Sequence, residues 1–136
     1  MMPLMDTGAK MAVRLPDGFV VRLEVAATRE ELKRGLKHRD SLRADEGMLL
    51  VFRKPNFGIY GAHPVTMWEV RFPLDVVWLN TAGGVVEVRE SLPPNVPFQT
   101  YGGSVGSAFA LEVPAGTVKR CGVQVGQTLQ LGRLNG

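Results

Sequence analysis

The run Arg71-Phe72-Pro73-Leu74-Asp75-Val76-Val77-Trp78-Leu79 constrains this chain more than any other stretch, because it sets one carboxylate inside a segment that is otherwise apolar on both faces. A strand apolar on both faces is buried on both, so Asp75 is expected to be buried or nearly so. An unpaired buried charge is strongly unfavourable. The segment therefore predicts a partner for Asp75, either hydrogen-bond donors or a cation, and leaves open whether that partner serves folding or chemistry.

At 136 residues the chain has the size of one domain, long enough to bury roughly two-thirds of its unfolded surface. Hydrophobic residues at 45% and charged residues at 21% are globular values rather than those of a disordered segment. Cys121 is the single cysteine, which excludes an intramolecular disulfide and cysteine-based zinc or iron–sulfur centres. No apolar run approaches the roughly 20 residues that span a bilayer. Residues 1–10 read as a loosely ordered tail and 11–136 as a single domain. No signal-peptide core is visible, so the expected location is cytoplasmic, with an exported form whose leader has been removed left open.

The net charge of +3 is concentrated in Lys33, Arg34, Lys37, His38, Arg39 and Arg43. Cations there complement the C-terminus of a helix, and no aromatic residues are interleaved to stack bases. Nucleic-acid binding is not expected.

Alternation in Phe19, Val21, Leu23 and Val25 predicts a strand, and Leu15-Pro16-Asp17-Gly18 supplies the turn of a hairpin with residues 11–15. Thr28-Arg29-Glu30-Glu31 matches a capping box, predicting a helix from about Arg29 to His38. Leu32, Leu36 and Arg39 would share one face of it, placing Arg39 at the end of the buried stripe. Met48 to Phe52 reads as a central buried strand, followed by a loop from Arg53 to Gly61. Val65 to Val70, Asp75 to Leu79, Val85 to Glu90, Ser107 to Val113 and Thr128 to Leu131 read as further strands, with one helical turn at Thr117 to Cys121. Ser91 to Gly106 is a long loop of the kind that often carries function. The fold class is α+β, mainly antiparallel β, a small barrel or strongly curved sheet with one α-helix packed on it.

Four segments of this order resemble domain-of-unknown-function family 192, a family of small bacterial and archaeal proteins. They are Glu24-Val25-Ala26 with Arg34-Gly35-Leu36 and His38-Arg39; Gly47 to Phe52; Phe72 to Val77 with the Gly83-Gly84 turn; and Leu111 to Gly116 with Gly122 and Gly126. Thr66-Met67-Trp68-Glu69-Val70 departs from the family's usual wording, and His63 is similar to a variant branch that carries a histidine there. The resemblance implies a compact β-rich barrel and a shared polar set. It implies no substrate.

That polar set is Arg39, Asp75 and Glu112, each at a position where periodicity or alternation predicts burial. Glu112 shares a strand face with Ala108 and Ala110, which leave space beside it. An arginine from the helix end filling that space would bind one or both carboxylates as a structural pin between helix and sheet. The same residues read functionally would be the floor of a pocket, one carboxyl raised in pKa and available as an acid or base.

Tyr60, His63, Trp68, Glu69, Phe98 and Tyr101 fall in or beside the two long loops and form a candidate ligand cleft. Packed together, the aromatics would only cap an open barrel end. No His-x-His or Glu-x-x-His arrangement is present, so neither a metal nor another cofactor is expected. Ser104 and Ser107 lack the Gly-x-Ser-x-Gly spacing of a nucleophile loop. The leading expectation is a non-enzymatic binding module for a small ligand, a saccharide or a peptide. The alternatives are a small hydrolase-like enzyme using Asp75 or Glu112 with His63, and an interaction subunit using the basic helix end against an acidic partner.

Overall fold

The computed structural model describes residues 10–52, 62–103 and 106–134. Nine strands and two short helices occur among them. Strand β1 (Lys10–Arg14) and strand β2 (Val20–Ala26) form the expected hairpin, in register from Lys10 opposite Glu24 to Arg14 opposite Val20. Val21, Leu23 and Val25 point inward while Val20, Arg22 and Glu24 face outward, as a half-buried strand requires.

Helix α1 (Arg29–Arg34) begins at the capping box: Thr28 Oγ1 accepts from the Glu31 amide at 3.1 Å and Glu31 Oε1 accepts from the Thr28 amide at 3.0 Å. It ends at Gly35, whose φ of 48° lies in the region that favours glycine. The helix is therefore shorter than the Arg29–His38 span expected, and Arg39 does not sit on it. Its crossover makes β3 (Glu46–Val51) run parallel to β2, the one parallel pair in the main sheet.

Next come β4 (Val65–Thr66), β5 (Leu74–Leu79), β6 (Val85–Leu92), β7 (Thr100–Tyr101), β8 (Phe109–Pro114), helix α2 (Thr117–Cys121) and β9 (Gln130–Arg133). Seven strands form one mixed sheet in the order β6-β5-β8-β3-β2-β1-β9, and β4 pairs with β7 in a separate two-stranded ribbon. The strand expected over Val65 to Val70 stops at Thr66, because the chain turns at Glu69 with φ 66°.

The expected small barrel does not form. Pairing runs from β6 to β9 without closing. The two ends of the sheet meet around the Gly84–Thr128 bridge, through the Val85 amide on Gln127 O at 2.8 Å, the Gly126 amide on Val85 O at 2.9 Å and the Leu129 amide on Gly83 O at 3.0 Å. After that bridge the chain turns to pair with β1 instead.

Two cores flank the central strands. One contains Val21, Leu23, Leu49, Val77, Leu111 and Val118. The other contains Leu36, Met48, Leu50, Val76, Trp78 and Ala110. Every residue of β5 is buried, which explains its continuous apolar run. The two faces of β5 and β8 thus open onto different surroundings, and that separation decides where their carboxylates go.

Candidate ligand-binding cleft

Asp75 is completely buried and faces the core that holds Val77 and Val118. Its Oδ1 accepts from the Ser91 amide at 2.8 Å; its Oδ2 accepts from the amides of Gly116 at 3.0 Å and Val118 at 2.9 Å. The turn after β8 makes this convergence. Gly116 takes φ 96° as the N-cap of α2, a conformation costly for other residues, and Thr117 Oγ1 donates to Pro114 O at 2.7 Å. Asp75 is thereby a brace joining β5, the end of β6 and α2. Three backbone donors satisfy the carboxylate without a cation.

Glu112 lies on the neighbouring strand, with its cross-strand partner at Val76, whereas Asp75 pairs with Val113. Successive residues of a strand face opposite sides, so the two side chains project from opposite faces of the sheet. Arg39 meets neither: its guanidinium pairs with Glu24 Oε2 at 2.5 Å, both side chains substantially exposed. The expected Arg39–Asp75–Glu112 pin is not formed. The register of β5 against β8 and the early end of α1 are the reasons.

Glu112 is 5% exposed, and its Oε1 has no hydrogen-bond partner among the described residues. Burial pushes its carboxyl up from the ordinary 4.5 to about 7. The side chain lies at the floor of a cleft of about 460 Å³ between α1 and the segment that leads into β4. Leu32, Leu36, Leu50, Phe52, Val65 and Val70 supply apolar walls; Arg29, Lys33, Arg34 and Lys37 stand along the α1 side. Gly35 lies beside the carboxyl: a Cβ built on it would come 4.0 Å from Glu112 Oε1, an ordinary van der Waals contact.

His63 lines the same cleft. Its backbone is fixed at both ends: its amide donates to Gly103 O at 3.2 Å and its carbonyl accepts from Trp78 Nε1 at 2.9 Å. The imidazole stacks on Phe52 with ring centroids 4.3 Å apart and planes 14° from parallel. Burial lowers its pKa from the ordinary 6.5, which favours the neutral ring.

The other cleft residues read from the sequence separate. Tyr60 lies outside the described residues, as does Ser104. Trp68 and Phe98 are exposed and border a second groove of about 440 Å³ with Pro97, Gln99 and Thr100, which shares Lys37 and Thr66 with the Glu112 cleft. Glu69 faces His38, Oε2 to Nε2 at 3.6 Å. Tyr101 is half-buried in β7 against the Trp78 core. Ser107 and Cys121 are buried; burial and the Asp17 carboxylate push the Cys121 thiol up, against the opposing influence of Arg120.

Sequence reasoning missed the role of Lys33, Arg34 and Lys37 along the cleft. Their signal was the basic cluster itself, read as a complement to the helix dipole or as a surface for an acidic partner. Among the described residues no three His, Cys, Asp or Glu side chains are grouped to hold a metal, and no helix is long and apolar enough to cross a membrane.

The fold and site define a small mixed-sheet domain with a cleft floored by one buried carboxyl. The chain belongs to the DUF192 family, described as an uncharacterized ACR, whose family model matches residues 12–131. No curated protein sequence matches it. Among solved structures it is similar to a candidate transcription regulator from Sinorhizobium meliloti, with 26% identity, a TM-score of 0.73, and 94% of this chain and 97% of that one covered. It is also similar to a protein of unknown function from Novosphingobium aromaticivorans, with 22% identity, a TM-score of 0.77, and coverage of 96% and 93%; that likeness concerns the fold.

Proposed function

We propose that the protein is a binding module for a small amphipathic ligand, held in the cleft between α1 and the central strands. The observation that carries this reading is Glu112, a buried carboxyl with an unpartnered oxygen at the floor of a roomy, largely apolar cleft. Ligand sites combine apolar walls with a few convergent polar groups, in volumes of roughly 300–1,000 Å³. The regulatory description of the Sinorhizobium meliloti relative fits a ligand-sensing domain better than a DNA-reading one. The two helices among the described residues are six and five residues long, short for filling a major groove.

A chemical-shift screen of small metabolites and short peptides tests this reading. Backbone amides of Gly35, Leu50, Val65 and Glu112 respond to a binder. Ala62 is exposed and lines the cleft, so Ala62→Trp blocks entry while leaving the cores untouched. A screen in which every responding amide lies elsewhere contradicts the reading.

Glu112 and His63 in one cleft favour a second reading, a small hydrolase-like enzyme, since an acid or base works best near the operating pH. Asp75 drops out of it, because its oxygens are committed to backbone amides. Turnover of simple ester or amide substrates that vanishes in Glu112→Gln and in His63→Gln would favour catalysis over binding. The interaction-subunit reading is weaker: His38 faces Glu69, Arg39 pairs with Glu24, and Lys33, Arg34 and Lys37 belong to the cleft.

A further inference from the structure

The chemistry of the cleft selects among ligands, an argument that rests on the binding reading. Arg29, Lys33, Arg34 and Lys37 stand along one side, and none of the four makes an ion pair among the described residues. Glu112 is the one carboxylate among the described lining residues, and besides the four cations His63 is the other titratable group there. On the cleft-facing side of the sheet its neighbours are Met48 and Leu50 from β3, Val76 and Trp78 from β5, and Ala110 from its own strand. None of these carries a charge to balance an ionised Glu112.

Two ligand classes meet these groups differently. An ammonium ion would pair with an ionised Glu112, but it would enter past four uncompensated cations. An anionic head group would sit among those cations, with its apolar body against Leu32, Leu50 and Val65. A charge on the floor would oppose it, because Coulomb repulsion is poorly screened where water is excluded. A protonated Glu112 removes that repulsion.

We propose that the cleft takes a small anionic amphipath, its acidic group held among Arg29, Lys33, Arg34 and Lys37 and its apolar body in the cleft, and that it binds together with one proton carried on Glu112. The balance is simple. The ligand arrives as an anion, the ionised fraction of Glu112 takes one proton from solvent, and the complex releases both as pH rises. Binding and proton uptake are then linked, each favouring the other.

Hexanoate, hexanol and hexylamine are the probes, followed by chemical shift on the intact chain between about pH 6 and pH 8.5, where hexanoate is ionised and hexylamine protonated. Hexanoate binds most tightly at the low end of that range, and its affinity falls by up to about tenfold per pH unit above the midpoint of Glu112. Hexanol binding does not change with pH. Glu112→Gln binds hexanoate with one affinity throughout, close to that of the wild type at low pH. Lys33→Glu with Lys37→Glu weakens hexanoate and leaves hexanol unchanged. Preference for hexylamine, with affinity rising with pH, overturns the inference and leaves a binding module for cations. Hexanoate affinity independent of pH in the wild type also overturns it. Silence of the cleft amides toward all three probes counts against the binding reading itself.

Discussion

Asp75 and Glu112 sit on adjacent strands of one sheet, one residue out of step, and both are buried. Asp75 faces a closed core and receives three backbone amides. Glu112 faces a cleft and leaves an oxygen unpartnered. Burial alone therefore does not distinguish a brace from a site. The distinction lies in whether the surrounding backbone supplies enough donors, and one step of register decides it.

Removing each carboxylate should have opposite effects. Asp75→Ala strands the amides of Ser91, Gly116 and Val118, each costing about 1–3 kcal/mol if left buried without an acceptor. The expected loss is about 3–5 kcal/mol in denaturant unfolding, or failure to fold. A loss below about 1 kcal/mol would break the comparison from the Asp75 side.

Glu112 reverses the usual pH rule for carboxylates. Its folded pKa is raised to about 7 from 4.5, so between those values the folded chain holds a proton that the unfolded chain has released. Stability is fully present below about pH 4.5 and falls as pH rises toward 7, by about 3 kcal/mol in all, levelling off above it. Glu112→Gln abolishes that slope and is the more stable protein at pH 8, while pH-dependent melting indistinguishable between the two would remove the contrast.

Gly47→Ala sharpens the comparison from the backbone. Its Cβ would lie 2.6 Å from the Glu112 carbonyl oxygen, forcing β3 and β8 apart at an expected cost of about 1–3 kcal/mol. The amides of Glu112 and of Val113, the other close neighbour of Gly47 on β8, should shift in its spectrum. Arg39→Met has the smallest effect, below about 1 kcal/mol in melting, because its ion pair with Glu24 is exposed. A large loss there would restore the structural pin between helix and sheet.

Much of the fold was legible because local chemistry and global packing agreed. The Leu15–Gly18 turn, the Thr28–Glu31 capping box and the apolar Met48–Val51 run each led to the element observed. The helix expected from Arg29 to His38 ran through Gly35, whose positive φ ends α1. Barrel closure depends on whether β9 pairs with β6 or β1, which alternation does not encode. Burial of Asp75 and Glu112 was readable from alternation. Their relative orientation was not, since it follows from the β5–β8 register. Nor was the Asp75 cradle, because backbone donors carry no residue-type signature. The aromatics expected to line one cleft were divided by the turn at Glu69, which places Trp68 in the groove beside Phe98.

Glu112 stands in the binding reading as the buried, protonatable group at the floor of the cleft. Carbon-detected NMR titration of its side-chain carboxyl, without and with saturating hexanoate, tests it most directly. The expected midpoint is near 7 in the free protein, moving upward when hexanoate binds. A midpoint near the ordinary 4.5, unmoved by hexanoate, would contradict it.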